Sequence, residues 1–149
     1  MFKIYTDGGS RGNPGPAGAG GVIKSPLDST LIELSEFLGI QTNNYAEYTA
    51  MLLTLKRAIE LGIDKLEAFT DSKLIVEQLN GNWQVKSETL KPIYDEIQDL
   101  LPNFKTITFA HIPRKLNAHA DSLANKAMDT FEVEILTNST LTKLTLNDT

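Results

Sequence analysis

Four acidic residues, Asp7, Glu47, Asp71 and Asp121, each sit in a short polar motif at the edge of an apolar stretch. Asp7 closes the run Phe2-Lys3-Ile4-Tyr5-Thr6 and opens onto Gly8 and Gly9. Glu47 follows Thr42-Asn43-Asn44-Tyr45-Ala46, Asp71 lies in Thr70-Asp71-Ser72, and Asp121 ends Asn117-Ala118-His119-Ala120-Asp121. Taken singly, each has an ordinary explanation as a turn residue, a helix cap or an acid favoured by a helix dipole. Brought together, four carboxylates would repel one another and raise their own pKa values unless cations sat among them. An all-oxygen donor set selects hard ions, so Mg²⁺ is expected, with Mn²⁺ as its substitute. Two such ions about 4 Å apart would relieve the repulsion and serve phosphoryl chemistry.

The surrounding pattern places the acids on element ends. Residues 2–7 alternate and are rich in β-formers, which predicts a strand. Between Gly8 and Gly21 lie seven glycines and two prolines, read as a loop that re-enters a strand at Ala19–Lys24. Leu27-Asp28-Ser29 predicts a turn, and Thr30–Leu38 a third strand. Connections this short join the three as an antiparallel meander. Asn43 or Asn44 would cap a helix reaching about Leu61, whose stripe of Tyr48, Met51, Leu52, Leu55, Ile59 and Leu61 faces a core and which Gly62 stops. A strand over Leu66–Thr70, helices over Ser72–Leu79 and Thr89–Leu101, a strand over Phe104–Ala110 and a helix from Asn117 to about Met128 complete the order βββαβααβα. That order describes an α/β domain with a mixed sheet flanked by helices. If the first and fourth strands are parallel neighbours, Asp7 and Asp71 meet at their carboxyl ends, where sites form in open sheets. Glu47 and Asp121, in first helical turns, would reach the same edge.

The bulk composition narrows the class. The 149 residues suit one domain, here 1–128, with a short C-terminal tail over 129–149 that could form a hairpin. With no cysteine, disulfides, zinc thiolate sites and cysteine nucleophiles are excluded. No apolar run approaches a membrane span and no signal-peptide core opens the chain, so a cytoplasmic protein is expected. The net charge of −5 argues mildly against holding nucleic acid by bulk electrostatics, but the tail carries −3 of it.

The four motifs, in this order and with the long first run Thr6-Asp7-Gly8-Gly9-Ser10-Arg11-Gly12-Asn13-Pro14-Gly15-Pro16, resemble type 1 ribonuclease H over about Phe2–Met128. The resemblance implies a mixed five-stranded sheet and a metal-dependent endonuclease that cuts the RNA strand of RNA–DNA hybrids. It carries metal binding onto Asp7, Glu47, Asp71 and Asp121. The reaction it implies is hydrolysis by an activated water with two ions per site when substrate is bound, leaving 5′-phosphate and 3′-hydroxyl ends.

Choosing RNA over DNA at the cut strand requires contacts to 2′-hydroxyls, and Gly8, Gly9, Ser10 and Asn13 would let backbone approach closely. By resemblance, Asn43, Asn44 and Lys73 lie along the hybrid's minor groove, Thr42 at a DNA phosphate, and Asn82 and Trp83 near the DNA-strand channel. Trp83 also has an ordinary reading as a packing residue. Two departures stand out. The stretch Asn82–Ser87 lacks the lysine-rich handle that many members carry, so this is a compact form whose hybrid affinity is expected to be weaker or to depend on other surfaces. Arg114 occupies the loop position where many members hold a histidine; an arginine steadies a phosphate but does not shuttle protons. His111 and His119 read as structural.

Rival readings remain. One is a catalytically silent nucleic-acid-binding module on the same fold; another is a nuclease acting on duplex RNA, whose A-form minor groove also displays 2′-hydroxyls. An exonuclease of the same fold class is disfavoured, because Asp7 is followed by glycines rather than by a second nearby acid. A monomer is expected.

Overall fold

The computed structural model describes residues 1–130; the tail expected to form a hairpin lies, beyond 130, outside the described residues. Strands β1 (Phe2–Ser10), β2 (Gly15–Lys24) and β3 (Thr30–Gln41) form the meander, and α1 (Asn43–Glu60) follows. Then come β4 (Lys65–Thr70), α2 (Lys73–Leu79), α3 (Lys91–Leu100) and β5 (Thr106–His111), with single 3₁₀ turns at Leu101–Asn103 and Arg114–Asn117. Residues 118–130 are helical and are called α4. The sheet order is β3-β2-β1-β4-β5, antiparallel through the meander and parallel from β1 to β4 to β5. The expected α/β class and element order hold.

The strand limits differ from expectation where glycine is dense. Gly8 and Gly9 continue β1, and β2 already begins at Gly15, so the loop shrinks to residues 11–14. Glycines read as a loop are strand residues here because helices press on both faces of β2. A Cβ on Gly18 would stand 2.5 Å from the Ala124 carbonyl oxygen, and one on Gly21, already expected in the strand, would stand 2.1 Å from Thr54 Oγ1. Close backbone approach is one of the few things strand glycine is good for.

The helix ends also shift. Thr42, not Asn43 or Asn44, caps α1, its Oγ1 accepting from the Tyr45 N–H at 3.2 Å. Gly62 (φ +76°) ends the helix as expected, and Ile63 N–H returns to the Ala58 carbonyl. Leu61 is exposed instead of joining the apolar stripe. α3 begins at Lys91 rather than Thr89, because the preceding turn is organised by Ser87, whose Oγ accepts from Leu90 N–H. The core lies between the sheet and the face bearing α1 and α3, with Ile4, Ile23, Tyr48, Met51, Leu55, Leu66 and Ile97 all essentially sealed from solvent.

Candidate active site

The parallel ladder between β1 and β4 runs from Phe2↔Leu66 to Thr6↔Thr70 and stops. Asp7 and Asp71 are therefore the next residues on adjacent strands, at the carboxyl edge of the pair. Asp7 stays in β1, held by β2, while β4 hands over to Ser72, whose Oγ accepts from Ile75 N–H and caps α2. Gly8 brings in the third acid. A Cβ there would lie 2.3 Å from the Ala46 carbonyl, so α1 rests directly on the β1 backbone, and Gly8 N–H donates to the Glu47 carboxylate. Glu47 is the fifth residue of α1, past the first turn, so the dipole explanation expected for it does not apply.

Asp121 arrives on α4. Asp7 pairs with Gly20 across β1–β2, and a Cβ on Gly20 would stand 2.1 Å from the Ala120 carbonyl oxygen. The start of α4 is fixed by Asn117, buried, whose Nδ2 donates to the Thr6 carbonyl at 2.8 Å. One helical turn later, Asp121 shares a hydrogen bond with Asp7, and Asn125 Nδ2 donates to its backbone carbonyl at 3.1 Å.

One oxygen each of Asp7, Glu47 and Asp71 falls within 4.8 Å of the others. Asp121 is tied to Asp7 but stands outside that group of three. Asp7 is 7% exposed, and its pKa is raised to about 7, first by burial, then by its hydrogen bond with Asp121 and the Asp71 charge. Burial and the charges of Asp7 and Asp71 push Glu47 well above the usual carboxylate range. Asp71 is raised by burial, with the Arg114 guanidinium pulling the other way. Glu47 Oε2 is buried with no hydrogen-bond partner. An orphaned carboxylate oxygen beside two more carboxylates fits a hard divalent cation, which would satisfy the oxygen and reverse the cost of burying like charges.

The carboxylates open into a cleft of about 550 Å³. Gly8, Gly9, Ser10, Asn43, Asn44 and Arg114 line it with the four acids, as do Arg11, Ser72 and Asn125, which sequence reasoning did not single out. Asn125 had a legible signal, the helical i, i+4 spacing from Asp121. Asn13 acts one step back, its Oδ1 accepting from Asn43 N–H at 3.0 Å while Asn43 Oδ1 accepts from Ser10 N–H at 2.8 Å. Thr42 is not among the lining residues; its hydroxyl caps α1. His111 Nε2 lies 3.2 Å from the Asp71 carbonyl oxygen, and His119 pairs with Glu33 at 2.7 Å.

Lys73, Asn82 and Trp83 lie outside this cleft. Trp83 is 45% exposed, which overturns the packing reading, and the Lys73 ammonium sits 5.9 Å from its ring centroid. Asn82 and Trp83 line a separate depression with Lys91 and Tyr94.

Residues 5–127 match a family described as reverse transcriptase-like. The "Bifunctional protein Rv2228c" of Mycobacterium tuberculosis is 45% identical over 127 residues, which are 85% of this chain and 35% of that protein. "Ribonuclease HI" of Halobacterium salinarum is 40% identical over 125 residues, 84% of this chain and 63% of that one. This chain therefore spans about a third and under two thirds of those relatives' lengths. A structure of LC11-RNase H1 in complex with an RNA/DNA hybrid superposes with a TM-score of 0.82 at 42% identity, covering 87% of this chain and 98% of that one. With the sheet order, the converging carboxylates and these likenesses in agreement, the chain belongs to the type 1 ribonuclease H family.

Proposed function

We propose that the chain is a metal-dependent endonuclease that hydrolyses the RNA strand of RNA–DNA hybrids, leaving 5′-phosphate and 3′-hydroxyl ends. The observation that carries this reading is the partly buried Asp7–Glu47–Asp71 cluster with its orphaned Glu47 oxygen, which lines an open cleft. The relative solved with an RNA/DNA hybrid lends the substrate class. Asp7, Glu47, Asp71 and Asp121 would hold the ions, with Mg²⁺ as the natural choice and two present when substrate is bound. Bound divalent cations supply Lewis acidity to a phosphate oxygen and an attacking water.

The chain's own residues do the rest. Arg114, beside Asp71, offers a permanent positive charge to the phosphate at the cut. The Ser10–Asn43–Asn13 hydrogen bonds hold the 8–13 backbone against the start of α1, so Gly8, Gly9, Ser10, Asn43 and Asn44 form one rigid edge for the 2′-hydroxyls of the RNA strand. Lys73, Asn82 and Trp83 offer a cation and an aromatic face to the uncut strand, and Thr42, at the start of α1, serves as a phosphate contact. The catalytic unit is residues 1–128, acting as a monomer. Among the described residues, no helix is long and apolar enough to cross a membrane.

The test is cleavage of an end-labelled hybrid with Mg²⁺, with EDTA and with Asp7→Asn as controls. Internal cuts confined to the RNA strand and lost in both controls support the reading. Folded protein that makes no cuts with Mg²⁺ or Mn²⁺ turns it into a binding module. Cuts in duplex RNA at an equal rate would widen the substrate class.

A further inference from the structure

Tyr48, the residue after Glu47 on α1, is fully buried, and its hydroxyl donates to Oε1 of Gln78 on α2. That bond fixes the Gln78 amide: Oε1 faces Tyr48, and Nε2 donates to the Gln84 carbonyl at 3.2 Å. Gln78 is itself buried.

Beyond α2 the chain reverses at Gly81, in the left-handed region at φ +80°, and folds back along the helix. The N–H groups of Asn82 and Trp83 donate to the Glu77 carbonyl at 2.9 and 3.2 Å. The Trp83 ring then lies beside Lys73, two residues from Asp71. The loop over 81–85 thus has a surface anchor on Glu77 and a buried anchor on Gln78. The buried anchor is the one that continues to Tyr48 and the helix turn bearing Glu47.

We propose that the Tyr48–Gln78–Gln84 relay sets the spacing between the cleaving carboxylates and the Trp83 loop, making Gln78 a positioning residue for the uncut strand. This rests on the hybrid-cleaving reading above. The chemistry favours a positioning role over plain packing. A leucine or methionine would fill position 78 beside Ile75 and Leu79 at least as well. A buried glutamine whose two ends face a phenol and a loop carbonyl is instead a rigid strut, since each lost partner leaves a buried polar group unpaired. Loosening it frees the loop without touching a carboxylate, so it weakens binding rather than the chemical step.

The experiment uses the full chain with Gln78→Met and Tyr48→Phe, both checked by thermal melting. Steady-state cleavage of a hybrid with Mg²⁺ is measured together with acrylamide quenching of Trp83, the chain's single tryptophan. Gln78→Met is expected to raise KM about fivefold, the value of one ordinary hydrogen bond, with kcat within about twofold. Its Trp83 quenching should rise about twofold, and Tyr48→Phe should move both readouts the same way, less far. A fall in kcat at unchanged KM, or native quenching in both variants, overturns the proposal. Should Gln78→Met not fold, Tyr48→Phe decides by the same criteria. If the native chain cuts no hybrid, the functional reading fails, whereas the quenching change still decides whether the relay holds the loop.

Discussion

Asp7 faces Gly20 across the β1–β2 ladder, and the space above Gly20 is filled by the backbone of α4 at Ala120, the residue before Asp121. The absence of a side chain at position 20 is therefore what allows two acids 114 positions apart to share a hydrogen bond. Gly8 does the same for α1 and Glu47. The site is assembled by close backbone contacts rather than by long side chains reaching inward.

Gly20→Ala should accordingly destabilise the fold by about 1–3 kcal/mol, because the Ala120 carbonyl is backbone and cannot step aside cheaply. Mg²⁺ affinity should fall with it. Gly81→Ala is the contrast: nothing lies within 4 Å of its Cβ, so it carries only the left-handed strain at φ +80°, about 1 kcal/mol. Urea unfolding and a calorimetric Mg²⁺ titration on both variants check this; equal loss of metal affinity would refute it.

Asp7→Asn should lower the cleavage rate on the order of 10³-fold or more, as expected when a preorganised electrostatic contact is removed. In EDTA the same variant should melt at or above the native temperature, since it removes a buried charge from a repelling cluster. A variant that loses activity by unfolding would instead show a clearly lowered melting temperature.

The raised carboxylates also set a pH dependence. Burial and the neighbouring acids raise the Asp7 pKa from the ordinary 3.8 to about 7 in the folded, metal-free protein, and Glu47 is shifted the same way. Between those values the folded state binds more protons than the unfolded one, so this contribution to stability is present at low pH and is lost as pH rises towards about 7. Relative to Asp7→Asn, native protein in EDTA should lose stability between pH 5 and pH 8. Mg²⁺ should restore it more at pH 8 than at pH 5, which melting curves at both pH values will show.

Arg114→Ala should reduce kcat/KM about ten- to hundredfold, the range for a hydrogen bond to a charged group. Arg114→Lys should fall between, keeping the charge while losing the planar fork. Steady-state kinetics on a hybrid distinguish the series; a lysine variant as poor as alanine would show that shape rather than charge matters.

The four acids were legible because each lies in a short polar motif beside an apolar run, and such boundaries follow from local composition. Thr6-Asp7 and Thr70-Asp71 close apolar runs that became parallel neighbours, and the ladder between them stops at Thr6↔Thr70. The glycine run was taken for a loop as far as Gly18 because local propensity treats glycine as a loop residue, whereas Gly8, Gly9, Gly15 and Gly18 are strand positions, with α1 pressed on Gly8 and α4 on Gly18. The α1 cap fell on Thr42 because its hydroxyl reaches Tyr45 N–H, while Asn43 is engaged with Ser10 and Asn13. Trp83 ended up half exposed beside Lys73 because the chain doubles back at Gly81, a path composition does not reveal. Arg11 lies inside the first motif but reaches the cleft only through the fold, whereas Asn125 was within reach of the helical i, i+4 spacing from Asp121.

The guanidinium of Arg11 grips Asp129 at 2.6 Å, on the last turns of α4. Arg11 and Met128 both stand on the rim of the acidic cleft. The chain past residue 130 thus sets out beside the acidic cleft, not from the far end of the sheet. A domain or peptide fused directly at residue 130, in place of residues 131–149, would be held beside that cleft with almost no linker, as escort or obstacle to a ligand according to its charge.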